Sequence, residues 1–426
     1  MIKNLLKKYK KNHLVRDNVT LFLSNLLMGL FVFLYHFYMG RVLGPALYSV
    51  IGVIQSIVYI FNIPLTAVQT GIAKFTSGFK IKNKFGEIKY LFKSSLKKLV
   101  IFGIIGMVLF IAVSSLIASY LKIEFKLLLM LSPFVVFILI VAMERGMLQG
   151  LQKFKGFGVN LITEGSSKLF LGVILVLIGL SVSGAITAII LSYIAALLVG
   201  YYALKRILRK EKEKKFNTKE VYKYSIPVIL VLIGLTAMYT IDVLLVKHFF
   251  PDVEAGHYAA VATLGKILFF GSYSITQVMF PKVSEYYHKK KPYKHLLYKS
   301  LLMMLAFLTP ITIIYFLFSK IIIKLVYGSA YLDVAGLLGW FAVVMGLFSL
   351  IYTISFYNLS INKTKFLYLL FLYNVVEIIL IYLFHETLLQ VVTILLILML
   401  SLFIIMFLQA IFSKDGKTIN NNTSAQ

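Results

Sequence analysis

Four side chains in this sequence could do chemistry where they stand: Asp242, Lys266, Asn374 and Glu377. Each lies within an apolar run long enough to cross a bilayer, where an ionisable group is expensive and functional by default. A carboxylate in such a place can take up a proton or a sodium ion and so drive a transport cycle. Asp242 has Tyr239 one helical turn before it and Lys247 five residues after it, a poor spacing for an intrahelical pair. Two readings therefore stand for Asp242, a structural pair with a cation such as Lys247 or an ion-coupling acid. Glu377, with Asn374 one turn earlier, is the second coupling candidate. Lys266 is too far from either end of its run to reach the headgroups, and an uncompensated lysine at that depth costs about 2.5–3.5 kcal/mol. It is either paired with an acid such as Asp242 or is a cation for an anionic headgroup.

Lys266 also belongs to a pattern. Tyr48, Gly52, Gln55, Tyr59, Asn62, Thr66 and Gln69 recur at alternating steps of four and three, which places them on one face of a helix. A second stripe with the same spacing runs through Ala259, Thr263, Lys266, Phe270, Tyr273, Gln277 and Phe280. Gln55 then corresponds to Lys266, Asn62 to Tyr273 and Thr66 to Gln277, an internal repeat of the kind transporters carry. Polar stripes facing lipid would be costly, so both should face protein or water. They serve either as interhelical glue or as the lining of a shared lumen. The lumen candidates are Gln55, Tyr59, Asn62, Thr66, Thr263, Lys266, Tyr273, Gln277 and, near a helix end, Arg41.

These residues must be positioned by membrane helices. Hydrophobic residues make up 60% of the 426 and charged ones 14%, against about 45–50% and roughly 25% in soluble domains. The hydropathy profile predicts about twelve spans, at 17–39, 48–72, 98–120, 127–147, 158–180, 184–204, 224–247, 257–280, 300–318, 335–360, 366–384 and 387–412. By this segmentation 37 of the 44 basic residues fall on the side of the amino terminus. That asymmetry predicts a multi-pass protein of the cell membrane with both termini cytoplasmic. It also accounts for the net charge of +28 without nucleic acid: the lysines set topology and meet anionic membrane lipids. The leader, 1–16, has the spacing of an amphipathic interfacial helix and no cleavage site after it, so the first span reads as retained. The expected organisation is a six-helix lobe over 1–204, a charged cytoplasmic linker over 205–223, a second six-helix lobe over 224–412 and a polar cytoplasmic tail over 413–426.

Four stretches carry a family resemblance: "GRVLGPALYSV", with Arg41, Leu43, Gly44, Pro45 and Tyr48; "ERGMLQGLQKFKGFGVNLITEG"; "TIDVLLVKHFFPDVEAGHYAAV", with an Asp and a later Gly-x-Tyr; and "VYGSAYLDVAGLLGWFAVV". In this order and spacing they resemble the polysaccharide repeat-unit flippases of the multidrug, oligosaccharidyl-lipid and polysaccharide exporter superfamily. The resemblance implies two six-helix lobes around a central cavity that opens alternately to each side. It implies, as cargo and partner, an oligosaccharide linked to a polyprenyl phosphate or diphosphate, moved from the cytoplasmic to the outer leaflet for polysaccharide assembly. Other membrane proteins of that assembly would be further partners.

A cationic, hydrated path would lower the barrier to such a headgroup. Lys266 is the favoured cation, while Lys168, Arg145 and Arg41 read as structural or topological, since long basic side chains near helix ends snorkel to the headgroups. No cofactor is implied beyond coupling to H⁺ or Na⁺, and no metal. A cation-coupled drug exporter of the same superfamily is the alternative, expected to rely on buried acids more than on a buried lysine. A polysaccharide polymerase or ligase fits less well. The connections on the far side are short, and the sequence has no metal-spaced cluster, phosphate loop, nucleophile elbow or cysteine.

Overall fold

The computed structural model describes residues 13–210, 212–216 and 226–412. The leader, most of the charged linker's second half and the polar tail lie outside them. The described chain is helical throughout and forms a multi-pass membrane protein. Ten continuous stretches are long and apolar enough to span a bilayer.

Two of the ten are hairpins. Helix α1 (His13–Ile81) is continuous in its hydrogen bonding except at Gly44, where φ is 74°. Its membrane-length portion has 62 residues, about 90 Å if straight, three times the hydrocarbon thickness. Yet His36 and Gln55, 19 residues apart, are in hydrogen-bond contact at 3.3 Å, which a straight helix forbids. The chain reverses at Gly44, a left-handed backbone that favours glycine, and Pro45 opens the returning helix. The second hairpin joins α5 (Phe154–Leu175) to α6 (Ser181–Lys210) through a π turn, Val176–Leu180, in which Gly179 has φ 94°. Asn160 donates to the Ala196 carbonyl at 2.6 Å across it. Counting each hairpin twice gives twelve membrane-length segments among the described residues.

The chain divides into two units, Met1–Ile229 and Leu230–Gln426. The amino-terminal unit contains α1, α2 (Phe85–Leu121), the short α3 (Phe125–Leu131), α4 (Phe134–Gly150), α5 and α6. A close seam runs between α4 and the second arm of α1. A Cβ on Gly146 would lie 2.6 Å from the Gln69 carbonyl oxygen, and one on Gly150 2.6 Å from that of Ala73. This is the small-residue spacing that lets two membrane helices touch backbone to backbone.

The carboxy-terminal unit contains α7 (Ile226–Ala237), α8 (Ile241–Phe249), α9 (Asp252–His288), α10 (Lys294–Leu317), α11 (Ser319–Val326), a 3₁₀ stretch (Ser329–Leu337), α12 (Leu338–Ser360), α13 (Phe366–Leu383) and α14 (Leu388–Phe412). Its core lies around α12, which packs on α9, α10 and α14. The span expected at 224–247 is two helices here. A turn at Met238–Thr240 separates α7 from α8, and the Thr240 hydroxyl closes it on the Thr236 carbonyl at 2.7 Å.

Candidate functional site

The break between α7 and α8 places Asp242 in the first turn of α8, where the helix dipole favours an anion. Asp242 is buried. Its Oδ2 accepts a hydrogen bond from Tyr258 Oη on α9 at 2.8 Å, so the Asp and the Tyr of the Gly-x-Tyr motif meet in space. Its Oδ1 has no partner among the described residues. Two turns beyond Tyr258 on α9, Lys266 is buried within electrostatic range of Asp242, with its ammonium 5.5 Å from the centre of the Tyr239 ring.

Helix α13 packs on α8 and adds the other two predicted groups. Asn374 donates through Nδ2 to the carbonyls of Gly234, at 3.0 Å, and Leu370, at 2.7 Å; its Oδ1 accepts nothing. Glu377 is buried within electrostatic range of Asp242, and its Oε1 is also without a donor. The structure thus gathers Asp242, Lys266, Asn374 and Glu377 from three helices, with three buried acceptor oxygens unanswered. Buried oxygens without donors are what a proton or a small hard cation needs. Lys247 takes no part. It is buried and forms its ion pair with Asp252, which is 56% exposed at the start of α9.

The amino-terminal unit has a second polar interior. Arg145 on α4 forms a buried ion pair with Glu164 on α5 and donates from Nε to Asn160 Oδ1 at 2.7 Å. Tyr193 of α6 lies against Glu164, Arg145 and Asn62. Glu144 is buried beside Gly200 with one oxygen lacking a donor. Farther along α5, Lys168 donates to Gln55 Oε1 at 3.0 Å and sits 4.5 Å from the centre of the Tyr35 ring. Gln55 Oε1 also meets His36 Nε2, and His36 Nδ1 meets Tyr48 Oη, both at 3.3 Å.

Arg145 and Lys168 are expected to be structural or topological, and only the snorkelling given as the reason is corrected: neither snorkels. Both are buried and bound to groups far away in sequence, because their positions face other helices rather than lipid.

The remaining predicted lining residues are dispersed. Tyr59, Asn62, Thr66, Thr263 and Tyr273 are half-buried, and Gln277 and Arg41 are exposed. Asn62, Thr66 and Thr263 each return a hydrogen bond to a carbonyl four residues back in their own helix. The Tyr273 and Tyr352 rings lie 5.5 Å apart, and the Arg41 guanidinium sits 5.9 Å over Phe37.

Comparison with known proteins agrees with this architecture. A curated membrane protein of Methanocaldococcus jannaschii, itself uncharacterised, is 23% identical over 290 residues, covering 64% of this chain and 68% of that protein. Among solved structures, an inward-facing multidrug resistance MATE family transporter of the MOP superfamily matches with a TM-score of 0.73 at 13% identity, over 92% of this chain and 94% of that one. The lipid II flippase MurJ in an inward closed conformation matches at 0.71 and 16%, over 93% and 87%. A MOP superfamily transporter from Pyrococcus furiosus matches at 0.61 and 16%, over 92% and 93%. The fold is therefore that of MOP superfamily transporters. The model of the polysaccharide biosynthesis protein family matches residues 38–336, well over half the chain, and the chain belongs to that family.

Proposed function

We propose that this protein is an ion-coupled flippase that moves a polyprenyl phosphate- or diphosphate-linked oligosaccharide from the cytoplasmic to the outer leaflet, with both termini cytoplasmic. The observation that carries the reading is the buried group of Asp242, Asn374 and Glu377, each with an open oxygen, in which Asp242 lies within electrostatic range of both Glu377 and Lys266. A proton or sodium ion at the open oxygens would neutralise Asp242. Lys266 would then lose its counter-charge, and an anionic headgroup would be the means of replacing it. Cation binding and anion binding become linked because both act on one electrostatic balance. Membership of a polysaccharide biosynthesis family supports a glycan cargo, and one structure of like fold is a lipid II flippase.

The second reading, a cation-coupled drug exporter, takes its support from the multidrug transporters of like fold. It gives Lys266 no cargo to hold. Proteoliposomes containing a fluorescent polyprenyl diphosphate sugar separate the two. Ion-gradient-driven exposure of that lipid to a membrane-impermeant quencher is expected, with no extrusion of cationic dyes. Dye extrusion without lipid movement would replace the flippase with the exporter. Orientation has its own check. The chain has no cysteine, so a single one in place of Lys212 should resist an impermeant thiol reagent in intact cells.

A further inference from the structure

At the end of α10 the chain does something the transport reading does not use. Phe318 leaves helical geometry (φ −117°, ψ 21°), and the eight-residue α11 begins at Ser319. Three kinds of side chain share its surface. Ile323 and Val326 are buried, and the helix rests against the 3₁₀ stretch Ser329–Leu337. Ile321 and Leu325, four residues apart and so on one face, are 63% and 69% exposed. They continue the exposed apolar surface that α10 presents at Leu302, Ile313 and Leu317, a surface that in a membrane span faces lipid.

Lys320 and Lys324, also four apart, are exposed on the flank between. Neither is in an ion pair among the described residues, and Asp333, the carboxylate of the 3₁₀ stretch, pairs with neither. By the segmentation of the sequence, these lysines are two of six basic residues expected on the side of the membrane away from the linker. Retaining them there opposes the charge asymmetry that sets topology.

We propose that α11 is an interfacial anchor that binds anionic phospholipid on the membrane face opposite the linker. Ile321 and Leu325 enter the acyl region, and Lys320 and Lys324 hold headgroup phosphates one helical turn apart. An apolar ridge flanked by lysines, continuous with a lipid-facing helix, matches a bilayer surface in both chemistry and geometry. A protein partner would have to displace lipid from the α10 side to reach the same ridge. The chain's one tryptophan, Trp340, marks the spot. Its ring packs on Phe316 at the end of α10, 5.3 Å centre to centre, and it is half exposed, as tryptophan is at membrane interfaces.

Trp340 makes the test spectroscopic. The full-length protein is reconstituted in vesicles of phosphatidylcholine with a minor fraction of phosphatidylglycerol, one or the other lipid carrying brominated acyl chains. Brominated phosphatidylglycerol should quench Trp340 beyond its share of the bilayer. The enrichment should weaken on the order of fivefold per lysine removed, vanish in Lys320→Gln/Lys324→Gln, and persist in Lys320→Arg/Lys324→Arg. In the wild-type protein, rising salt should erode it. Quenching in proportion to bulk composition, or a preference that ignores salt and survives the double glutamine change, overturns the proposal. Loss of the preference on adding soluble glycerol phosphate would likewise replace a lipid surface with a free-phosphate site.

Discussion

In the amino-terminal unit the buried arginine is answered by a buried carboxylate and the buried lysine by a side-chain amide, so that Arg145, Glu164, Asn160, Lys168 and Gln55 largely satisfy one another. In the carboxy-terminal unit the emphasis is reversed. Asp242, Asn374 and Glu377 each keep an oxygen without a donor. In the repeat expected from the sequence, Gln55 and Lys266 are matching stripe positions, and each has an ammonium at it. The amino-terminal unit brings it from α5 as Lys168, held by Gln55, whereas the carboxy-terminal unit builds it into the stripe itself. A satisfied buried network specifies and rigidifies a packing; an unsatisfied one is where a ligand can change the energy. Glu144, with its open oxygen, is the exception among the acids of the first unit, where the buried hydroxyls of Tyr38, Thr76 and Ser95 also have no partner among the described residues.

The sharpest way to break this contrast is to remove the open acids. Asp242→Asn and Glu377→Gln should each bring ion-driven lipid movement to background in proteoliposomes while leaving detergent-solubilised protein monodisperse. Undiminished transport by both variants, across a range of pH and sodium, would remove the ion site. The next effect in size is structural and belongs to the other unit. Arg145→Met leaves Glu164 buried without its counter-charge, a loss of about 3–5 kcal/mol, seen as a lowered unfolding temperature. Arg145→Met with Glu164→Leu should recover most of it.

The two lysines extend the comparison. Lys266→Ala should abolish transport and insert normally, and Lys266→Arg should keep part of the activity. Lys168→Met should act chiefly on stability, since its partner is a neutral amide within the same unit. Equal losses of transport from Lys168→Met and Lys266→Ala would erase the distinction. The smallest change is Tyr258→Phe. It deletes the 2.8 Å hydrogen bond to Asp242, worth about 1.5–3 kcal/mol when the acceptor is charged. Transport should persist with a shift of roughly ten- to a hundredfold in the ion concentration that half-saturates it.

The spans and the two hairpins follow from apolar run length, which is a local property, so they are legible in the sequence. The gathering of Asp242, Asn374 and Glu377 is half legible. Each stands out as a polar residue in an apolar run, but only packing of α13 on α8 brings them together. Two things were hidden. The α7–α8 turn involves no proline or glycine at Met238–Thr240, so nothing in the local sequence announces it. The fates of Arg145 and Lys168 depend on partners 19 and 113 residues away. Hydropathy weighs a residue's depth along a helix and is blind to its rotation about the helix axis. The acids in "ERGMLQGLQKFKGFGVNLITEG", Glu144 and Glu164, were the available signal, since carboxylates inside apolar surroundings imply cations nearby.

The reversal at Gly44 has a mechanical consequence. A hairpin with a single residue at its apex has no slack, so the two arms of α1 cannot slide past one another at that end and can only swing together. The connection at 384–387, between α13 and α14, is longer and largely exposed. An epitope or fluorescent tag inserted there should be carried without harm, whereas the same insertion after Gly44 would uncouple a joint that turns two helices into one lever.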